Sequence, residues 1–121
     1  MKNKNDLSKR LLKFSVEIIR FLRLLPKDTE YQVIRYQLIK SATSVGANYE
    51  ESQAGSSKAD FANKIRISLR EMREANYWLR LCKVSFSRNS FNQELLEKNL
   101  AESDELIRIL ATILNKCEST K

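Results

Sequence analysis

The sequence predicts an all-α protein, an antiparallel up-down-up-down four-helix bundle that assembles as a homo-oligomer. Three observations carry this. The chain holds only 2 Gly and 1 Pro in 121 residues, too few for the turns of a multi-stranded sheet. Charged residues make up 31% and aliphatic residues are abundant, the mixture of amphipathic helices. Apolar residues recur at helical spacing in four stretches separated by short breaks. The length suits one domain, residues 1–121, with enough chain to bury one core.

The first stretch covers about residues 6–25, with Asp6 as N-cap. Leu7, Leu11, Phe14, Ile18, Phe21, Leu22 and Leu25 share one face, and Pro26 ends the helix. The second covers about residues 29–54, with Tyr31, Ile34, Leu38, Ala42, Val45 and Tyr49 inward. Its middle, Ser41-Ala42-Thr43-Ser44-Val45-Gly46-Ala47, is built of small residues that let a neighbouring backbone come close. Gly46 costs about 1 kcal/mol against Ala inside a helix, so a packing role is expected for it. Gly55 suits a helix end and Ser57 an N-cap, with Asp60 three residues on. The third stretch covers about residues 57–86, with Phe61, Ile65, Ser68, Met72, Ala75 and Leu79 inward. Ser87-Arg88-Asn89-Ser90 reads as a turn, and the fourth stretch covers about residues 90–116. It carries two apolar lines, one of Leu95, Leu106, Ile109, Leu110 and Ile113, the other of Leu96, Leu100, Ile107, Ala111 and Leu114.

A helix of a four-helix monomer needs one apolar stripe. Leu12, Val16 and Ile19 on the first helix, and Ile67, Trp78 and Leu81 on the third, lie off that stripe. With the second line of the fourth helix they form the expected oligomer interface, Trp78 being its anchor. The competing reading has Trp78 covering a helix end of its own subunit.

Several function classes are excluded by composition. The chain has no His, which removes the usual acid–base group near neutral pH, the triad and dyad nucleophiles, and the Glu-x-x-His di-iron pattern. No Gly-Lys-Ser/Thr follows Gly46 or Gly55, so there is no phosphate loop. Glu71 and Glu74 lie one turn apart, but Arg70 and Arg73 compete for them, and a salt-bridged face is the commoner outcome. Asn48 and Glu51 read as polar ties between helices or subunits. The expectation is a protein that is not an enzyme and has no metal and no cofactor. No apolar run reaches the roughly 18 residues of a membrane span. Cys82 and Cys117 stand apart, as buried thiols do in a reducing compartment. A cytoplasmic location without a membrane partner is expected.

The net charge is +7. Residues 1–28 carry +5 and residues 57–86 carry +4, the other two segments −1 each. The excess therefore sits on the first and third helices. Arg66, Arg70, Arg73 and Arg80 recur on the third at helical spacing, with Tyr77 among them, and Lys9, Lys13 and Arg20 cluster on the first. Arginine forks suit phosphate, and an interleaved Tyr can stack on an unpaired base. Two readings stay open beside RNA or single-stranded DNA binding. One is a solvated face paired with Glu17, Glu71 and Glu74 that serves solubility. The other is a scaffold docking a partner protein.

The run Tyr36-Gln37-Leu38-Ile39-Lys40-Ser41-Ala42-Thr43-Ser44-Val45-Gly46-Ala47-Asn48-Tyr49-Glu50-Glu51-Ser52 resembles a family signature. So do Ser57-Lys58-Ala59-Asp60-Phe61, Ile67-Ser68-Leu69-Arg70-Glu71 and Glu74-Ala75-Asn76-Tyr77-Trp78-Leu79. In that order they resemble the bacterial four-helix-bundle proteins of 23S rRNA intervening sequences. Wider relatives are the accessory variability proteins of diversity-generating retroelements. The resemblance implies an up-down bundle and a pentameric ring. The retroelement relatives imply nucleic acid and a reverse transcriptase as partners. Tyr49 and Glu50 depart from the family's pattern, where a β-branched apolar residue and a small or basic one are expected.

Overall fold

The computed structural model describes residues 4–55, 57–85 and 92–119. They form four helices: α1 (Lys4–Arg23), α2 (Thr29–Gln53), α3 (Lys58–Ser85) and α4 (Gln93–Ser119). No strand occurs among the described residues. Each helix packs on its neighbours in the chain, and α1 also meets α4, whereas α1 and α3, like α2 and α4, make no close approach. The helices therefore stand at the corners of a square. Cross-helix bonds fix the directions. Ser8, Ser15 and Arg35 tie α1 to α2 as Ser8 to Glu50, Ser15 to Ala42 and Arg35 to Leu22, so numbers rise on one helix as they fall on the other. Glu51 to Lys64 and Val45 to Ser68 repeat this for α2 and α3. Arg66 to Glu118, Asn76 to Ser103 and Lys83 to Glu97 do so for α3 and α4. The bundle is antiparallel throughout.

The core consists of the inward stripes. Leu11, Phe14, Ile18 and Phe21 of α1, Leu38, Ala42 and Val45 of α2, Ile65, Met72 and Leu79 of α3, and Leu96, Leu106 and Leu110 of α4 are all buried. The second apolar line of α4 is not surplus. Leu96 and Leu100 are buried, and Ile107, Ala111 and Leu114 pack against the same core. A corner helix touches two neighbours, so it needs a stripe wide enough for both.

The helix ends follow local chemistry, with shifts of a few residues. α1 begins at Lys4, which places Asp6 in its first turn and not at the cap. It ends at Arg23, and Leu24 and Leu25 tighten the exit by bonding to the carbonyls of Phe21 and Leu22. Arg35 covers that end, donating to the carbonyls of Leu25 at 2.8 Å and Pro26 at 3.0 Å. α3 starts as expected, the Ser57 hydroxyl accepting from the Asp60 N–H at 3.0 Å. The polar turn read at 87–90 lies outside the described residues. Asn92 caps α4, accepting from the Leu95 N–H at 2.9 Å. Gly55 does not use the left-handed backbone, since no described glycine has positive φ.

The small residues of α2 admit neighbours on both sides. Ser15 of α1 donates to the Ala42 carbonyl at 3.2 Å, and Ser68 of α3 to the Val45 carbonyl at 2.9 Å. Gly46 faces Leu11 of α1, yet a Cβ there would lie 3.5 Å from Leu11 Cβ, an ordinary contact. Close packing therefore does not require glycine at 46. Gly46→Ala is expected to raise unfolding stability by about 0.5–1 kcal/mol through helix propensity. Chemical denaturation checks this; a loss of stability would show that α1 cannot yield the space.

Candidate nucleic-acid interface

α3 turns its apolar stripe to α2 and α4, and this sends Arg66, Arg70, Arg73, Tyr77 and Arg80 outward, all exposed. They are not equivalent. Arg66 Nη2 bonds Glu118 Oε2 of α4 at 3.0 Å in a half-exposed pair. Such pairs contribute about 0–1 kcal/mol and break readily for a better anion. Arg80 Nε donates to Asn76 Oδ1 at 2.8 Å, and its guanidinium lies 5.8 Å from the Tyr77 ring centroid. Asn76 is itself anchored, its amide donating to Ser103 Oγ at 2.8 Å and Asp104 Oδ1 at 3.0 Å. The Tyr77 ring, 49% exposed, meets Trp78 edge-on with centroids 5.2 Å apart. Tyr77 is thus an oriented, accessible aromatic beside a held guanidinium. Arg70 and Arg73 have no carboxylate partner among the described residues. Glu74, a proposed partner for them, accepts instead from Trp78 Nε1 at 3.3 Å.

On α1, Lys9 and Lys13 are exposed, and Arg20 pairs with Glu17 at 2.9 Å. The structure does not join this cluster to the α3 face. α1 and α3 occupy opposite corners, and α4 between them exposes Glu94, Glu97, Asp104 and Glu105. The chain therefore has two basic surfaces on opposite corners.

The apolar residues expected at an interface also divide. Leu12 is 63% exposed and Val16 39%, while Ile19 and Ile67 are half-buried. Trp78 and Leu81 are half-buried and pack against their own core. Sequence reading missed Val33 and Tyr36 of α2, both more than half exposed. Helical projection alone could have found them, since Tyr36 points away from buried Leu38.

Other groups are occupied or inert. Burial pushes the Cys82 thiol up to about 12, which keeps it protonated and un-nucleophilic. Burial also raises the Tyr49 phenol above its ordinary value. The Arg10 guanidinium is raised by its hydrogen bond to Glu102. Glu51 ties α2 to Lys64 of α3 at 2.8 Å, as expected of it, but Asn48 bonds its own helix at the Ser44 carbonyl. Among the described residues no three His, Cys, Asp or Glu side chains cluster as metal ligands would. None of the described helices is long and apolar enough to cross a membrane.

A small, basic, antiparallel four-helix bundle with its charge on two opposite helices is the class that this fold and surface define. The family model described as 23S rRNA-intervening sequence protein matches residues 3–112, nearly the whole chain. The chain belongs to that family. It is also similar to a crystal structure of a protein of unknown function from the S23 ribosomal protein family of Bacteroides thetaiotaomicron. Identity is 31%, 88% of this chain and 96% of that one are covered, and the TM-score is 0.76. No curated protein matches.

Proposed function

We propose that this protein is a non-enzymatic, self-associating bundle that binds RNA or single-stranded DNA through the outward face of α3. The observation that carries the reading is the pair Arg70 and Arg73, exposed and without a carboxylate partner among the described residues, one and two turns before half-exposed Tyr77. Unpaired guanidinium groups need no internal bond broken before they meet phosphate, and the adjacent ring can stack on a base. The α1 cluster of Lys9, Lys13 and Arg20 supplies a second, weaker contact on the opposite corner.

Fluorescence anisotropy with a labelled single-stranded RNA tests this. Arg70→Glu with Arg73→Glu is expected to weaken binding at least tenfold with unchanged helicity. Arg66→Glu should cost less, because Arg66 already pairs with Glu118. Affinity of the wild type should fall steeply with salt. Unchanged affinity in the double variant, or salt-independent binding, contradicts the mechanism.

Exposed Leu12, Val16 and Tyr36 favour a protein contact, and a second copy of the chain is the simplest partner. Five copies, the number implied by the sequence resemblance, would present five α3 faces to one strand. The same apolar residues would serve a scaffold for another protein. Light scattering separates the cases: Leu12→Lys with Val16→Lys should lower the solution mass without loss of helicity. A wild type that is already monomeric at high concentration contradicts self-association.

A further inference from the structure

α1 and α4 meet less closely than any other pair of neighbouring helices, and a cleft of about 540 Å³ opens along their seam. Phe14 forms part of its wall, and Arg10, Lys13, Lys98, Asn99 and Glu102 line it. That volume falls within the range of small-molecule sites, roughly 300–1,000 Å³.

The polar groups in the cleft do not balance. Asn99 is only 2% exposed, and its Nδ2 has no acceptor. Buried amide donors are almost always satisfied, so this one calls for an explanation. Glu102 does not supply the acceptor: Asn99 Nδ2 bonds neither of its oxygens, which accept from Arg10, Nε to Oε2 at 2.7 Å and Nη2 to Oε1 at 2.9 Å. Glu17, the other acid on the cleft, is held by Arg20. Lys13 and Lys98 are exposed, and neither has a carboxylate partner among the described residues. Each acid thus has an arginine partner, while two ammonium groups and one buried amide remain as donors without one. What fits is a ligand that brings acceptors and negative charge.

We infer that the α1–α4 cleft binds a phosphate monoester, with Asn99 Nδ2, Lys13 and Lys98 as donors and the rest of the ligand lying towards Phe14. A monoester carries about −1.5 to −2 charges near neutral pH and three acceptor oxygens, which matches two lysines and an amide. A carboxylate would leave one positive charge uncompensated. The site stands apart from the α3 face and does not depend on it. The monoester could belong to a free nucleotide or to the 5′ end of a strand; the chemistry is the same.

Calorimetric titration with adenosine 5′-monophosphate tests the inference, with adenosine as control. Binding of the monophosphate but not of adenosine is expected, together with a shift of the Asn99 side-chain amide resonance. Lys13→Gln with Lys98→Gln changes only exposed side chains and should reduce affinity at least tenfold. Asn99→Leu should do the same while keeping or raising the thermal midpoint, since it removes an unsatisfied buried donor. The Arg70→Glu/Arg73→Glu protein should bind the monophosphate normally, so failure on α3 and failure in the cleft are told apart. Displacement by a 5′-phosphorylated oligoribonucleotide, but not by its 5′-hydroxyl form, would assign the site to strand ends. Displacement by neither would assign it to a free nucleotide. Equal behaviour of monophosphate and adenosine, or full affinity in Asn99→Leu, overturns the inference.

Discussion

The hydrogen bond from the buried Ser68 hydroxyl to the Val45 carbonyl, at 2.9 Å, marks the constraint on which the bundle rests. A hydroxyl in a packed seam is costly unless it is satisfied. Here α3 lies close enough to α2 for that bond to cross the seam, and the small residues Ser41, Ala42 and Val45 allow the approach. On the other side of α2, Ser15 of α1 reaches the Ala42 carbonyl. Two neighbouring helices therefore read the backbone of one short segment. Other buried serines donate to their own helices, Ser41 to Leu38, Ser52 to Tyr49 and Ser103 to Leu100. They occupy little space, and each of these hydroxyls is satisfied.

α4 joins this arrangement less evenly. Asn76 fastens it to α3 through Ser103 and Asp104, and the half-exposed pairs Arg66–Glu118 and Lys83–Glu97 flank that contact. Toward α1 it is tied by the Arg10–Glu102 fork, and the cleft opens there. The same asymmetry shapes the surface. Tight packing of α3 on α2 and α4 leaves its arginine face outward. The square arrangement then holds that face apart from the lysines of α1, so each basic surface must act separately unless copies of the chain bring them together.

Much of this was legible in the sequence, because helical periodicity reports directly on which residues avoid water. The inward stripes of α1 and α2 were read residue by residue, with only Leu7 less buried than expected. Pro26 and the Ser57 cap placed two boundaries through purely local chemistry. A role that depends on a distant partner leaves no such mark. Arg10 and Glu102 are 92 positions apart, and no pattern along the chain links them. Nothing along α2 marks Arg35, yet it caps the end of α1. The second line of α4 was mistaken for an interface because one stripe per helix was assumed where a corner helix needs two. The basic residues of α3 were visible, but which of them keep their charge unpaired was not: Arg66 finds Glu118, while Glu74 turns to Trp78.

α2 and α3 form the firm half of the molecule and the α1–α4 seam the loose half. Native-state hydrogen exchange resolved by residue tests it most directly. The account predicts that backbone amides of α2 around Val45 and of α3 around Met72 exchange last, while those of α1 and α4 beside Arg10 and Glu102 open first. Slow exchange along the α1–α4 seam, with earlier opening of α2 at Val45, would contradict it.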